Sequence, residues 1–165
     1  MTSSYDISLA TPDDIAGIMA LQEPNLPESG GSLSVRQPAE LFKRAIAEKS
    51  LVVSRRDGEV VGYVLGTSIA AKAHVAIIQA MLRAFPPPPG CYLYGPVCTA
   101  ETERGNGLAG AMFKELQAQM GSRPAMTFIR ADNPASRRAH GKMGMRELGT
   151  FHNEGVPYVA LSYSV

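Results

Sequence analysis

Gly105, Gly107 and Gly110 are spaced G-x-G-x-x-G in the stretch RGNGLAG, with Arg104 immediately before them. Glycines so spaced at the start of a helix leave several backbone N–H groups aimed at one spot, and the missing Cβ atoms let a phosphate come close. Arg104, Gly105, Asn106, Gly107, Leu108, Ala109 and Gly110 are therefore candidates for a pyrophosphate site. The plainer alternative is that the glycines shape a turn and let a helix lie close to a sheet, with Arg104 a solvated charge. The same spacing marks dinucleotide-binding folds, and Asp132 falls about 20 residues downstream, near where that fingerprint wants an acid for the ribose. Such a unit, however, runs its strand straight into the first glycine and continues with further parallel strands. Here the polar stretch AETER comes before Gly105, and the chain beyond Asp132 reads as one helix and an antiparallel hairpin. That is too little for a doubly wound sheet, so NAD is not the expected ligand.

The elements that must position this loop are legible in outline. YDISLA alternates as a first strand; Thr11 and Pro12 then open a helix with an apolar stripe at Ile15, Ile18 and Met19. Residues 22–38 are dense in Pro, Gly and Ser and read as a surface loop, after which AELFKRAIAEK resumes helical spacing at Leu41, Ala45 and Ile46. Two β-rich runs flank Asp57-Gly58, a hairpin signal. Residues 69–85 read as a helix with Ile77, Ile78, Met81, Leu82 and Phe85 on one face and Lys72, Gln79 and Arg83 on the other, stopped by Pro86 to Pro89. CYLYGPVCTA is the next strand, GLAGAMFKELQAQMG a helix closed by Gly121, and AMTFIRA a further strand. Asn133 caps a helix with Pro134 in its first turn and Gly144 at its end. RELGTF and VPYVALSY finish as a hairpin around HNEG.

Read from Arg104, the glycine stretch also fits [RQ]-x-x-G-x-[GA], and NPASRRAHGKMGM at residues 133–145 fits N-x-x-[AS]-x-x-x-[YF]-x-x-x-G-[FM] with one departure. In these two motifs, and in their order with a helix and a strand between them, the chain resembles the GNAT superfamily of acetyl-CoA-dependent N-acetyltransferases. The resemblance is clear over about residues 91–151. It implies a mixed, mostly antiparallel central sheet flanked by helices in a single domain over residues 1–165, with acetyl-CoA as acyl donor and an amine as acceptor. Against that plan, residues 69–90 are an extra helix inserted between the third and fourth strands. Its apolar face would cover the acceptor site, meet a second copy in a homodimer, or lie against its own domain.

The resemblance also implies roles. Val97, Cys98 and Thr99 would meet the pantetheine arm through backbone groups, and Asn133 and Ser136 would help hold the cofactor. The departure is His140, which stands where the family carries a tyrosine that protonates the departing thiolate. An imidazole can serve as that acid, or His140 is a helix residue laid against the sheet. Tyr158 and Tyr94 are reserves for the same role. An attacking amine must first lose a proton, since an alkylammonium has a pKa of ~10.4; Glu23, Glu28 and Glu101 are the acids a water chain would reach. Cys98 reads as a small buried residue rather than a nucleophile. His74 reads as a residue of the inserted helix's apolar face and His152 as surface. Arg137 and Arg138 form a solvated face opposite Ala135, Ala139 and Met143, or meet a CoA phosphate.

Composition narrows the remaining choices. The 165 residues are 45% hydrophobic, enough for one sizeable core, and 16 Lys and Arg against 15 Asp and Glu leave a net charge of +1. No field of that size gathers nucleic acid or an anionic membrane. The most apolar segment, HVAIIQAMLRAF, is interrupted by Gln79 and Arg83 and is well short of the ~20 residues that span a bilayer. Cys91 and Cys98 lack metal or redox spacing, and MTSSYDISLA lacks a leader pattern, so reduced thiols in a cytoplasm are expected, with no metal. The function expected is acetyl transfer to an amine; the alternative of another class is a CoA-binding regulatory or interaction domain without turnover.

Overall fold

The computed structural model describes residues 4–29, 33 and 36–164. Among them are strands β1 (Asp6–Leu9), β2 (Leu51–Arg56), β3 (Glu59–Ser68), β4 (Tyr92–Thr99), β5 (Ala125–Arg130), β6 (Arg146–Asn153) and β7 (Val156–Tyr163). The helices are α1 (Ile15–Gln22), α2 (Ala39–Ala47), α3 (Ile69–Lys72), α4 (Ala76–Ala84), α5 (Leu108–Met120) and α6 (Pro134–Lys142). The strands form one mixed sheet in the order β1-β2-β3-β4-β5-β7-β6, mostly antiparallel, with β4 and β5 parallel. This is not the parallel sheet of a dinucleotide-binding fold. Contacts divide the chain into two compact units, Met1–Gly66 with Gly95–Gly121 and Thr67–Tyr94 with Ser122–Val165.

In the first unit, Ile18, Phe42, Leu51, Val53, Tyr63 and Leu65 are sealed from solvent and form the core with Cys98. Phe42 meets Tyr63 edge to face at 5.3 Å, the arrangement that ring quadrupoles favour. The hairpin turn at Asp57 and Gly58 has φ of 51° and 80°; two positive φ values match the twist of the flanking strands and explain the Asp-Gly pair. Thr11 opens α1 through a 3₁₀ turn, Pro12–Asp14, in which the Asp14 carboxylate accepts the Thr11 N–H at 2.8 Å and its hydroxyl at 3.3 Å. Arg55 of β2 then grips both Asp14 oxygens, at 2.8 and 2.5 Å, and donates to Asp6 and Ser8 of β1.

Residues 22–38 do not run over the surface as expected. Glu23–Asn25 and Pro27–Ser29 form 3₁₀ turns, and Leu26 and Leu33 join the core; residues 30–32, 34 and 35 lie outside the described residues. Burying such backbone requires partners for its polar groups. Side-chain amides supply them: Gln22 accepts the Gln37 N–H at 2.8 Å and donates to its carbonyl at 3.1 Å, while Asn25 donates to the Leu21 carbonyl at 2.9 Å.

The second unit is built on β5, β7 and β6. Met126, Phe128 and Arg130 pair with Ser162, Ala160 and Tyr158, so these six share one face; Ala125, Thr127 and Ile129 share the other with Tyr163, Leu161 and Val159. Residues 69–85 are two helices rather than one. Val75 adopts an extended backbone, φ −82° and ψ 122°, and lies against the core, which separates α3 from α4. His74 consequently sits exposed in the break and not on an apolar face. Ile78 and Met81 are buried with Cys91, Leu93, Met126, Phe151 and Ala160, so α4 covers the sheet face that carries Phe128 and Tyr158. Phe85 lies over Gly149, where a Cβ would stand 2.8 Å from the ring.

Two outcomes are expected. Burial by itself would push the Asp14 carboxyl up, but the bonds from Arg55 and Thr11 outweigh it and hold the pKa below its ordinary value. The stabilisation is therefore present above the ordinary carboxylate range and is lost as pH falls through the lowered Asp14 pKa. Asp14→Ala, which leaves Arg55 with Asp6 and Ser8 as side-chain partners, should cost about 2–3 kcal/mol in urea unfolding at neutral pH and less in acid. Ile78→Glu should cost ~4 kcal/mol or more by placing a carboxylate in the core; a stable variant with altered light scattering would instead make this face an interface.

Candidate functional site

The glycine loop is prepared by the stretch before it. Glu101–Glu103 form a 3₁₀ turn that buries Glu103. Its carboxylate accepts the Tyr5 hydroxyl, Arg56 Nη1 at 2.9 and 3.1 Å, and Asn106 Nδ2 at 3.4 Å. Asn106 Nδ2 also donates to the Tyr5 oxygen at 2.9 Å. The Tyr5 bond, with Arg56 behind it, holds Glu103 below the usual carboxylate value despite its burial. On its other side the loop is tied by Arg104, whose Nη2 donates to Asn25 Oδ1 at 2.6 Å.

Gly105 and Gly107 have φ of +83° and +75°, and no atom lies within 4 Å of where a Cβ would stand on either. Their outer side is open. Gly107 caps α5, and the first bond of the helix ladder runs from the Ala111 N–H to the Gly107 carbonyl at 3.1 Å. The N–H groups of Leu108, Ala109 and Gly110 therefore precede the ladder at the positive end of a 13-residue helix. An open glycine crest, a helix N-terminus and a neighbouring carboxylate already bonded to a cation together fit a pyrophosphate. Leu108 is buried and fixes the start of the helix.

On β4, Val97 and Thr99 are half-buried. Cys98 is buried, and loss of hydration pushes its thiol up to about 12, so it is a protonated core group and not a nucleophile. Cys91 is pushed up to about 11 for the same reason. β4 pairs in parallel with β5 at Tyr92↔Ala125 and Leu93↔Met126.

In the second unit, Asn133 Oδ1 accepts the Ser136 N–H at 3.2 Å and caps α6, and Gly144, at φ +92°, ends the helix region. The inner side of α6 carries Ser136 and His140, whereas Ala135 and Ala139 are exposed. His140 is 5% exposed. Its Nδ1 lies 2.7 Å from the Ser136 carbonyl and 3.4 Å from the Ser136 hydroxyl, and its ring stands edge-on to Tyr94 at 5.6 Å. Burial lowers the His140 pKa, and the Ser136 carbonyl offsets this in part. Arg137 is not free for a phosphate: it binds both Glu147 oxygens at 2.8 Å and the Ala131 carbonyl at 3.0 Å. Arg138 is exposed.

His140 and Tyr158 are not brought together. Leu93 pairs with Met126 on the α4 side of the sheet, so Tyr94, and His140 against it, lie on the opposite side from Tyr158. Tyr158 is instead one of three rings, 5.6 Å from both Phe128 and Phe151. Among the acids considered as bases, Glu23 is bound by Arg36 through two 2.8 Å bonds and Glu28 by the same arginine at 3.5 Å, while Glu101 is exposed. Tyr5, Arg56 and Glu103 carry no signal in the sequence, because their bonds span 98 and 47 positions.

A profile of the acetyltransferase (GNAT) family matches residues 15–145. The chain belongs to this family. The match covers both the Arg104–Gly110 loop and the Asn133–Gly144 segment, and it makes the protein an acyltransferase that uses acetyl-CoA. No curated protein sequence matches the chain. Solved structures share the fold at low identity. An N-acetyltransferase from Staphylococcus aureus Mu50 is 19% identical with a TM-score of 0.72, over 98% of this chain and 99% of that one. A ribosomal-protein-alanine N-acetyltransferase from Brucella melitensis is also 19% identical, TM-score 0.72, over 97% and 99%. The Salmonella typhimurium protein yncA, solved with its cofactor acetyl-CoA, is 15% identical, TM-score 0.72, over 98% and 94%.

If Glu103 sets the loop, Glu103→Ala should release Tyr5, Arg56 and Asn106 and weaken CoA binding ~10-fold, about 1.4 kcal/mol, in a protein that remains folded by circular dichroism. Calorimetry with CoA checks this, and unchanged affinity would make the network purely structural.

Proposed function

We propose that the chain is an N-acetyltransferase, one acetyltransferase domain over residues 1–165, that passes the acetyl group of acetyl-CoA directly to a primary amine in the cytoplasm. The observation that supports this best is the anchored loop Arg104 to Gly110, with left-handed glycines opening onto free space at the N-terminus of α5. Backbone N–H groups of this loop hold the pyrophosphate. Backbone groups of Val97, Cys98 and Thr99 hold the pantetheine arm, and Asn133 and Ser136 contribute from α6. Acetyl-CoA supplies a thioester carbonyl open to attack and a thiol as leaving group. His140 handles the proton that the thiol must gain, and Tyr158 stands in reserve. Neither nucleic acid nor membrane takes part; among the described residues no helix is long and apolar enough to cross a membrane.

CoA should bind in calorimetry and NAD should not. Gly107→Asp, whose carboxylate enters the open side of the loop without a clash, should nearly abolish CoA binding in a folded protein. Thiol release from acetyl-CoA across a broad panel of amines should be acceptor-dependent. CoA binding without acceptor-dependent release would favour a domain that holds the cofactor and does not turn over.

A further inference from the structure

We infer that Asn25 is a positioning residue for the cofactor's pyrophosphate: its side-chain oxygen holds the Arg104 guanidinium beside the glycine loop and, being neutral, leaves that charge uncompensated for the phosphates. The inference rests on the acetyl-CoA reading of the loop and adds a residue from outside both sequence motifs. Asn25, Arg104 and the loop all belong to the first unit.

Asn25 is fixed before it meets the arginine. It closes the 3₁₀ turn Glu23–Asn25 and is 4% exposed. Its Nδ2 donates to the Leu21 carbonyl at 2.9 Å, and its own backbone carbonyl accepts the Leu33 N–H at 2.9 Å. A carbonyl can only accept, so the amide atom turned to Leu21 is the nitrogen, and the atom left for Arg104 is the oxygen. That oxygen takes Arg104 Nη2 at 2.6 Å, across 79 positions of sequence. Turning the amide over would break both bonds and set an NH2 group against the guanidinium.

The kind of partner decides what the arginine can do. Arg55 lies against Asp14, Arg56 against Glu103, Arg36 against Glu23 and Arg137 against Glu147. Each of those cations is offset by a carboxylate. Among the described residues the side-chain partner of Arg104 is a neutral amide and no carboxylate. Arg104 is exposed, and one bond to Asn25 leaves the guanidinium with further N–H donors for the paired grip that phosphate oxygens favour. Its backbone is set by the bond from its N–H to the Glu101 carbonyl at 3.3 Å. Its charge also acts on β4, where it pulls the Cys98 thiol against the upward push of burial. The guanidinium thus sits by the strand assigned to the pantetheine arm and one residue ahead of the loop assigned to the pyrophosphate. Immobilising a long side chain on binding costs affinity, and an arginine already held loses less of it.

A plain tie between two loops would favour a carboxylate at position 25, because a charge-assisted bond holds a guanidinium more strongly than an amide does. A holder that keeps the charge available requires the amide. The two roles therefore rank substitutions in opposite orders.

Calorimetry with CoA separates them. Arg104→Gln keeps an amide donor for Asn25 and removes the charge, so it should weaken CoA binding ~10- to 100-fold. The loss of affinity with added salt should also become shallower in that variant. Asn25→Ala leaves the charge in place but unheld and should weaken binding ~3- to 10-fold. Asn25→Asp should weaken it more than Asn25→Ala, because the carboxylate offsets the charge. Dephospho-CoA, which keeps the pyrophosphate and lacks the 3′-phosphate, should lose as much affinity as CoA in each variant. If Asn25→Asp unfolds for want of the Leu21 bond, Arg104→Gln and Asn25→Ala still decide the matter. Wild-type affinity in Arg104→Gln or Asn25→Ala, a folded Asn25→Asp that binds at least as well as Asn25→Ala, or a loss confined to CoA would each overturn the inference and leave the cofactor reading intact. Failure of the wild-type protein to bind CoA would instead defeat that reading.

Discussion

A glycine loop gains an open side, and its glycines make it anything but rigid. Gly105 and Gly107 give this one its shape and its open side, but each also enlarges the set of conformations the unbound chain can visit. The Glu103 carboxylate resolves the conflict. One buried acid accepts from Tyr5 ahead of β1, from Arg56 at the end of β2 and from Asn106 between the glycines, so the loop is fixed to the sheet by side chains rather than by its own backbone. Arg104 completes the restraint through Asn25. The Glu103 charge that fixes the loop is shared with Arg56.

Parity along the strands governs the second unit in the same way. Because successive residues of a strand point to opposite faces, the pairing Leu93↔Met126 decides that Tyr94 turns away from α4 and that Tyr158 turns toward it. The two candidate acids are thereby assigned to different sides before any chemistry is considered. On the α4 side, Ile78 and Met81 complete an apolar cluster with Phe151 and Ala160, so the inserted segment has a structural reason to exist. On the other side, α6 presents its polar pair, Ser136 and His140.

What was legible in the sequence is what local rules determine. The Asp57-Gly58 hairpin, the Asn133 cap, the glycine ends of α5 and α6 and the shape of the glycine loop before α5 all depend on residues a few positions apart. The break at Val75 was not legible, because it comes from a tertiary contact that outweighs helical spacing over residues 69–85. The burial of Leu26 and Leu33 was hidden by a composition that resembles an exposed loop; the Gln22 and Asn25 amides and backbone bonds such as Leu33 N–H to the Asn25 carbonyl make it tolerable. The inner face of α6 was misjudged for a related reason: alanines at Ala135 and Ala139 suggest an apolar side, while the buried positions belong to a serine and a histidine whose polar groups bond one another. The Glu103 network could not be read at all, since its partners are remote in sequence and each is an ordinary surface residue type.

The carboxylates of the first unit are committed to holding the fold together. Asp14 is held by Arg55, Glu23 by Arg36, and Glu103 by the Tyr5 hydroxyl and Arg56, so each is kept ionised by donors that it also serves structurally. An acid stabilised as its anion is a weak base, because the energy that binds the cation must be given up when a proton is taken. A tyrosine in the place of His140 would face the reverse difficulty: at neutral pH it holds its proton and can only donate. A buried histidine whose Nδ1 donates to a carbonyl differs from both, since burial lowers its pKa and leaves the neutral ring with its other nitrogen as an acceptor.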